Sequence, residues 1–191
     1  MAVLKQQIEK AMILAYGVVT APKATLAVIT KEQRLYEGGI VWFLTMALTA
    51  ISMYAWWERT SMWLLIGLFG GGAAMQFINV ALFHGTARML GGQGTWKGFL
   101  SAMCFCNIPA SIGTLVRTFS FILPESLSEG IIFFSGIWGI GLIVMALQAN
   151  YEMGIGRSIA ALILPIVLLG IVFLLFLAYV FVSVASVFEI F

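Results

Sequence analysis

Phe83–Ile112 reads FHGTARMLGGQGTWKGFLSAMCFCNIPASI, and the fold turns on how this run is divided. It opens at the end of one long apolar segment, crosses a short basic, glycine-rich turn and enters a second apolar segment. The only histidine and both cysteines of the chain lie within it. A hairpin between two apolar helices satisfies the pattern. Gly91, Gly92 and Gly94 stop the first helix, Thr95 caps the second, and Lys97 sits in its first turn.

Composition places that hairpin in lipid. The 191 residues bound one compact unit; 62% are hydrophobic and 9% charged, against about 25% charged in soluble domains. Surface-to-volume scaling leaves a soluble chain of this size too little interior to hide so much apolar side chain. The net charge of +2 is small and the basic residues are scattered, which excludes nucleic acid as a partner. Cys104 and Cys106 form neither a disulfide framework nor a metal-ligand spacing.

Residues 3–20 carry Leu4, Ile8, Ala11, Met12, Ala15 and Val19 on one stripe of a 3.6-residue helix. Such a helix either rests in the headgroup layer or packs on the ends of the spans. Lys5 and Lys10 before an apolar run resemble a secretory leader. Glu9 and the lack of a clean small-x-small site predict that this segment is kept. Pro22 suits a first helical turn and starts a second short helix reaching about Arg34.

Five apolar runs follow, over residues 38–57, 62–83, 98–116, 130–148 and 159–188. Twenty residues at 1.5 Å each match the ~30 Å hydrocarbon core. The last run, at roughly 45 Å, must tilt, kink near Pro165 or leave the hydrocarbon. Tyr54, Trp56 and Trp57 are expected to form an aromatic girdle ahead of a turn at Glu58–Ser61, and Arg117 marks the same side of the membrane. Ser158 is expected to cap the fifth helix. The expectation is an all-α polytopic membrane protein. Residues 1–37 form an amphipathic interfacial segment, and residues 38–191 form a bundle of five transmembrane helices. With the N-terminus inside, eight Lys and Arg fall on the cytoplasmic side and two, Arg59 and Arg117, on the other. The positive-inside rule then puts the N-terminus in the cytoplasm and the C-terminus across the membrane. The membrane is the cell membrane, or an endomembrane in a eukaryote.

Small residues at Gly67/Gly71, Gly70/Ala74 and Ser135/Gly139 predict close helix packing. No ionisable residue falls in the middle of a span, which disfavours an ion-coupled transporter. The interior polarity is neutral. Gln76 and Asn79 lie on the second span; Asn107, Ser111 and Thr114 follow one face of the third, beside the carbonyl that Pro109 frees. These groups either bond between helices or line a polar path. His84 and Arg88 share a face at the end of the second span. With Gly91, Gly92, Gly94, Lys97 and Arg157 they make a helix stop and tight turn, or a surface for a lipid phosphate or a partner. Gly-Gly-x-Gly without a preceding strand is no nucleotide loop. One histidine with these cysteines builds no metal centre, and no serine has a partnering base. No catalytic residue, cofactor or metal is expected.

Ala87-Arg-Met-Leu-Gly-Gly-Gln-Gly-Thr-Trp-Lys97, followed by Asn107-Ile-Pro109, resembles the Yip family of Rab-interacting membrane proteins and their prokaryotic relatives. Pro22, the five spans and Gly156-Arg157-Ser158-x-x-Ala161 extend the similarity over about residues 20–175. The resemblance implies a cytosolic N-terminus, a five-span bundle, association with itself or with paralogues, and a trafficking-like role. Eukaryotic members carry a longer N-terminal region and a tyrosine- and glycine-rich signature before their Ile-Pro. Here only 37 residues precede the first span and Phe105-Cys-Asn-Ile-Pro stands in that place, so GTPase binding does not carry over. The compact form is similar to bacterial and archaeal members. The expected function is non-enzymatic organisation of protein partners or lipids at the cytoplasmic leaflet. The alternative is a facilitator or channel for a neutral solute or lipid between spans two and three.

Overall fold

The computed structural model describes residues 2–56 and 62–188, and every regular element among them is an α-helix. The order is α1 (Ala2–Thr20), α2 (Pro22–Glu32), α3 (Leu35–Trp56), α4 (Met62–Met89), α5 (Trp96–Phe105), α6 (Ile108–Thr118), α7 (Glu125–Tyr151) and α8 (Ile155–Phe188). Five stretches are long and apolar enough to cross a membrane: α3, α4, α5 with α6, α7 and α8. The chain is a multi-pass, all-α membrane protein. The turn expected at Glu58–Ser61 and the side chains of Tyr54, Trp56 and Trp57 lie outside the described residues.

The third span is the axis of the bundle. Half of its apolar window is buried, against 6% for α4 and 11% for α8. Its first half, α5, is buried continuously from Gly98 to Phe105. Pro109 has no N–H to return to Phe105, so the helix breaks at Cys106–Asn107 and resumes as α6. The α3 helix lies along both halves, α7 packs on α6, and α4 pairs with α8 as an outer layer. Closeness of α6 and α7 follows from small side chains. Gly113 faces Ile132 and Ser135, while Gly139 faces Pro109.

Gly67, Gly70 and Gly71 on α4 behave otherwise, because a methyl group on any of them would enter open space. Only Gly72 meets a neighbour, Met46 on α3. Among the described residues the expected close packing through Gly67/Gly71 is therefore absent, and nothing covers that face of α4.

At one end of the bundle α1 and α2 fold onto the spans. On α1, Ala11, Leu14, Ala15 and Val18 pack inward, whereas Ile8, Met12, Tyr16 and Val19 remain exposed. The apolar stripe is thus wider than the groove it occupies: one edge packs on the spans, and the other is left exposed. Between α2 and α3, Arg34 pairs with Glu32 and with the buried carboxylate of Glu37, the latter at 3.0 Å. Hydrogen bonds to Glu32 first and Glu37 second raise the Arg34 pKa, so the guanidinium stays charged and Glu37 is not left as a bare buried charge.

The α8 helix runs unbroken through Pro165. Proline there leaves the carbonyl of Ala161 without its helical donor. Thr86 of α4 supplies one, its hydroxyl donating to Ala161 O at 2.7 Å. Both α7 and α8 are longer than the apolar runs suggest. Glu125 and Glu129 lie in α7 instead of a loop, and Ser158 lies within α8, its hydroxyl donating to Gly154 O at 3.2 Å instead of capping. Helix propagation carries α7 past its last apolar residue until a residue with positive φ stops it. That residue is Glu152, with φ of 54°.

Candidate functional site

The hairpin between α4 and α5 is built from the backbone outward. Helix α4 ends after Arg88-Met89, where Gly91 turns left-handed with φ of 85° and Gly92 N–H donates back to Ala87 O at 2.9 Å. Arg88 folds over the turn, its guanidinium donating to Gly92 O at 3.3 Å. Thr95 caps α5 as expected, its hydroxyl accepting from Gly98 N–H at 3.1 Å.

What the glycines allow is close docking. A Cβ on Gly92 would stand 2.8 Å from Tyr151 Cβ, and one on Gly94 would overlap the side-chain amide and carbonyl of Asn150. One on Gly98 would meet Asn150 again and lie 2.6 Å from Thr30 O. The hairpin is therefore wedged between the end of α7 and the end of α2. Asn150 Nδ2 donates to Thr95 O at 3.0 Å, Gln93 N–H to Tyr151 O at 3.4 Å, and Gln33 Nε2 to Thr95 Oγ1 at 3.3 Å. His84 Nδ1 and the Tyr151 hydroxyl share a hydrogen bond of 2.6 Å. The edge of Trp96 and the ring of Phe99 close the aromatic cluster around them.

The structure thus brings His84, Arg88, Gly91, Gly92, Gly94 and Arg157 together, with Arg157 Nη1 4.0 Å from where a Gly91 Cβ would stand. Lys97 is exposed on the first turn of α5. Arg88 and Arg157 are exposed too, and among the described residues no carboxylate comes within ion-pair distance of any of the three. The residues that lock the site, Thr30, Gln33, Asn150 and Tyr151, escaped the sequence reading. Asn150-Tyr151 offered a signal in hindsight, as a polar–aromatic doublet at the end of a span.

The polar interior is a separate place. Asn107 Nδ2 donates to Met103 O at 3.1 Å and reaches Gln76 Oε1 at 3.4 Å, tying α4 to the break in the third span. Ser111 and Thr114 donate to carbonyls of their own helix, Asn107 O at 3.2 Å and Ala110 O at 3.0 Å. Pro109 is buried, and Asn79 is half-buried one turn from Gln76. The crevice beside Gln76, about 270 Å³ between α3, α4 and α5, is otherwise lined by apolar side chains such as Trp42, Phe77 and Leu100. Cys104 and Cys106 are buried free thiols. Among the described residues no three His, Cys, Asp or Glu side chains converge on a point.

The sequence model of the Yip1 domain matches residues 16–177, most of the chain. The chain belongs to the Yip1 domain family. The match begins within α1 and ends within α8, so in this Yip1-domain protein it takes in the junction, the polar break, four whole spans and most of the fifth. No curated protein and no solved structure matches the chain.

Proposed function

We propose that this Yip1-domain protein is a non-enzymatic membrane organiser. It gathers anionic lipids or protein partners at the cytoplasmic leaflet, in a trafficking-like or membrane-organising role. The observation that carries the reading is the set of exposed, carboxylate-free cations Arg88, Lys97 and Arg157 on a junction made rigid by Gly92, Gly94 and Gly98. A juxtamembrane Lys or Arg attracts an anionic lipid surface by about 1 kcal/mol. Holding three of them on a fixed frame turns that diffuse attraction toward a defined headgroup or acidic partner surface. The count of eight basic residues against two supports a cytoplasmic place for this end and the N-terminus, with the C-terminus on the far side. In this reading residues 1–37 are the interfacial segment and residues 38–191 the membrane bundle. The uncovered Gly67/Gly71 face of α4 supports self-association, since small residues in lipid let a second helix approach closely.

The test is native mass spectrometry from mild detergent. Wild-type protein is expected to retain anionic lipid, and the triple variant Arg88→Gln, Lys97→Gln, Arg157→Gln to retain less of it at unchanged thermal stability. Equal retention by the stable triple variant, together with unchanged partner capture, sinks the reading.

A further inference from the structure

At the opposite end of the bundle from the hairpin, α3, α6 and α7 splay around a crevice of about 410 Å³, within the ~300–1,000 Å³ of small-molecule sites. Two kinds of residue make it. Ala110, Gly113, Ser135 and Gly136 are too small to fill the space between the helices, while Met53 and Ile132 give it apolar walls. Thr49, Ser52, Thr114 and Ser135 add hydroxyls, and Arg117 adds a guanidinium from the last turn of α6.

These polar groups are not equivalent. The Thr49 hydroxyl donates to Thr45 O and that of Thr114 to Ala110 O, both at 3.0 Å, and Ser52 is hydrogen-bonded to Thr118. Their protons are largely committed within the protein. Ser135 has no such bond among the described residues, and neither has Arg117. Among the described residues neither Glu125 nor Glu129 of α7, nor any other carboxylate, lies within ion-pair distance of it. The C-terminal carbonyls of α6 favour a cation there, yet they leave its planar fork of five donors open. A site with apolar walls, hydrogen-bonded hydroxyls and one open guanidinium is complementary to an oxyanion carried on an acyl chain. A carboxylate or phosphate accepts two parallel bonds from the fork, and the methylenes lie against Met53 and Ile132.

We propose that the α3–α6–α7 crevice binds the anionic head of an acyl lipid, held by Arg117 with its chain along Met53 and Ile132. The site is distinct from the junction of Arg88, Lys97 and Arg157. The third span separates them, 22 residues from Trp96 to Arg117, or about 33 Å along its helices. It therefore takes lipid from the other leaflet.

The experiment uses delipidated full-length protein in detergent, titrated separately with phosphatidylglycerol, oleate and zwitterionic phosphatidylcholine and read by native mass spectrometry. Two variants probe the crevice. Arg117→Gln removes the fork, and Gly136→Leu fills the space, since a Cβ at Gly136 meets no atom. Wild type is expected to hold the anionic probes over phosphatidylcholine, and each variant to weaken them about tenfold, Arg117→Gln by loss of the charge-assisted fork and Gly136→Leu by occupying the crevice. The junction variant Arg88→Gln, Lys97→Gln is expected to keep this binding. Preference for phosphatidylglycerol assigns a phosphate head and preference for oleate a carboxylate; either supports the site. Equal uptake of all three probes, or anionic uptake unchanged in both variants, overturns it, because lipid coating the whole belt would not depend on Arg117 or Gly136.

Discussion

A methyl group added at Gly94 would fall on the amide and carbonyl of Asn150, whereas one added at Gly85 on α4 would meet nothing. The two substitutions to alanine should therefore part company. Gly94→Ala forces the hairpin off α7 and is expected to lower stability by about 1–3 kcal/mol. Gly85→Ala removes only backbone freedom in a helix interior and is expected to be neutral or to stabilise by up to about 1 kcal/mol. Thermal unfolding in detergent separates them. Tyr151→Phe, which removes the hydroxyl bonded to His84, should cost about 0.5–1.5 kcal/mol by the same measurement. Gly91, Gly92 and Gly94 were readable as a helix stop, because positive φ and tight turns are local properties. Their second use was not readable, since the atoms that forbid a side chain belong to Asn150, Tyr151 and Thr30, distant in sequence.

Between elements, two prolines and three small-residue pairs show how much of helix packing is written locally. The break at Asn107 follows from Pro109 alone, whose missing N–H frees the carbonyl of Phe105. The partner for the carbonyl freed by Pro165 comes from Thr86 on another helix, which no spacing rule could reach. Thr86→Val leaves Ala161 O unpaired and should cost about 1–3 kcal/mol. The double variant Thr86→Val, Pro165→Ala restores the helical N–H and should recover most of the loss; additivity of the two changes would refute the pairing. Small-residue pairs look alike in sequence but differ in place. Ser135 is buried against α6, while Gly71 faces open space. Ser135→Leu is accordingly expected to destabilise the monomer. Gly71→Leu is expected to leave the monomer's melting unchanged and to weaken self-association, read by crosslinking and size-exclusion chromatography.

Across the whole molecule, the number of spans and the all-helical class were legible because apolar run length is a one-dimensional property. Helix ends were less so, since helices propagate past the lipid boundary into residues such as His84 and Arg88. The proposed orientation yields its own test. Gln93→Cys should react with a membrane-impermeant maleimide from the cytoplasmic side only, and Ile122→Cys from the opposite side only. Native Cys104 and Cys106, both buried, should stay unlabelled from either side until the protein is unfolded. Labelling of Cys106 in folded protein would mean that water enters the third span.

Helix α8 draws these scales together. Its 34 residues give a rod of about 51 Å, and from Ile166 to Val182 every residue is exposed. Among the described residues its buried positions, Ser158, Ala161 and Pro165, lie in the first third, where Thr86 of α4 bonds to Ala161. In a single copy the exposed part of α8 meets no other helix closely enough to be buried among the described residues, so the host bilayer is expected to set its angle. In a thin bilayer the rod must lean over, and in a thick one it can stand upright. The protein then carries its own gauge of membrane thickness, anchored at the junction end and free at the other. Oriented infrared dichroism across phosphatidylcholines of increasing chain length should show α8 straightening while the packed third span holds its angle.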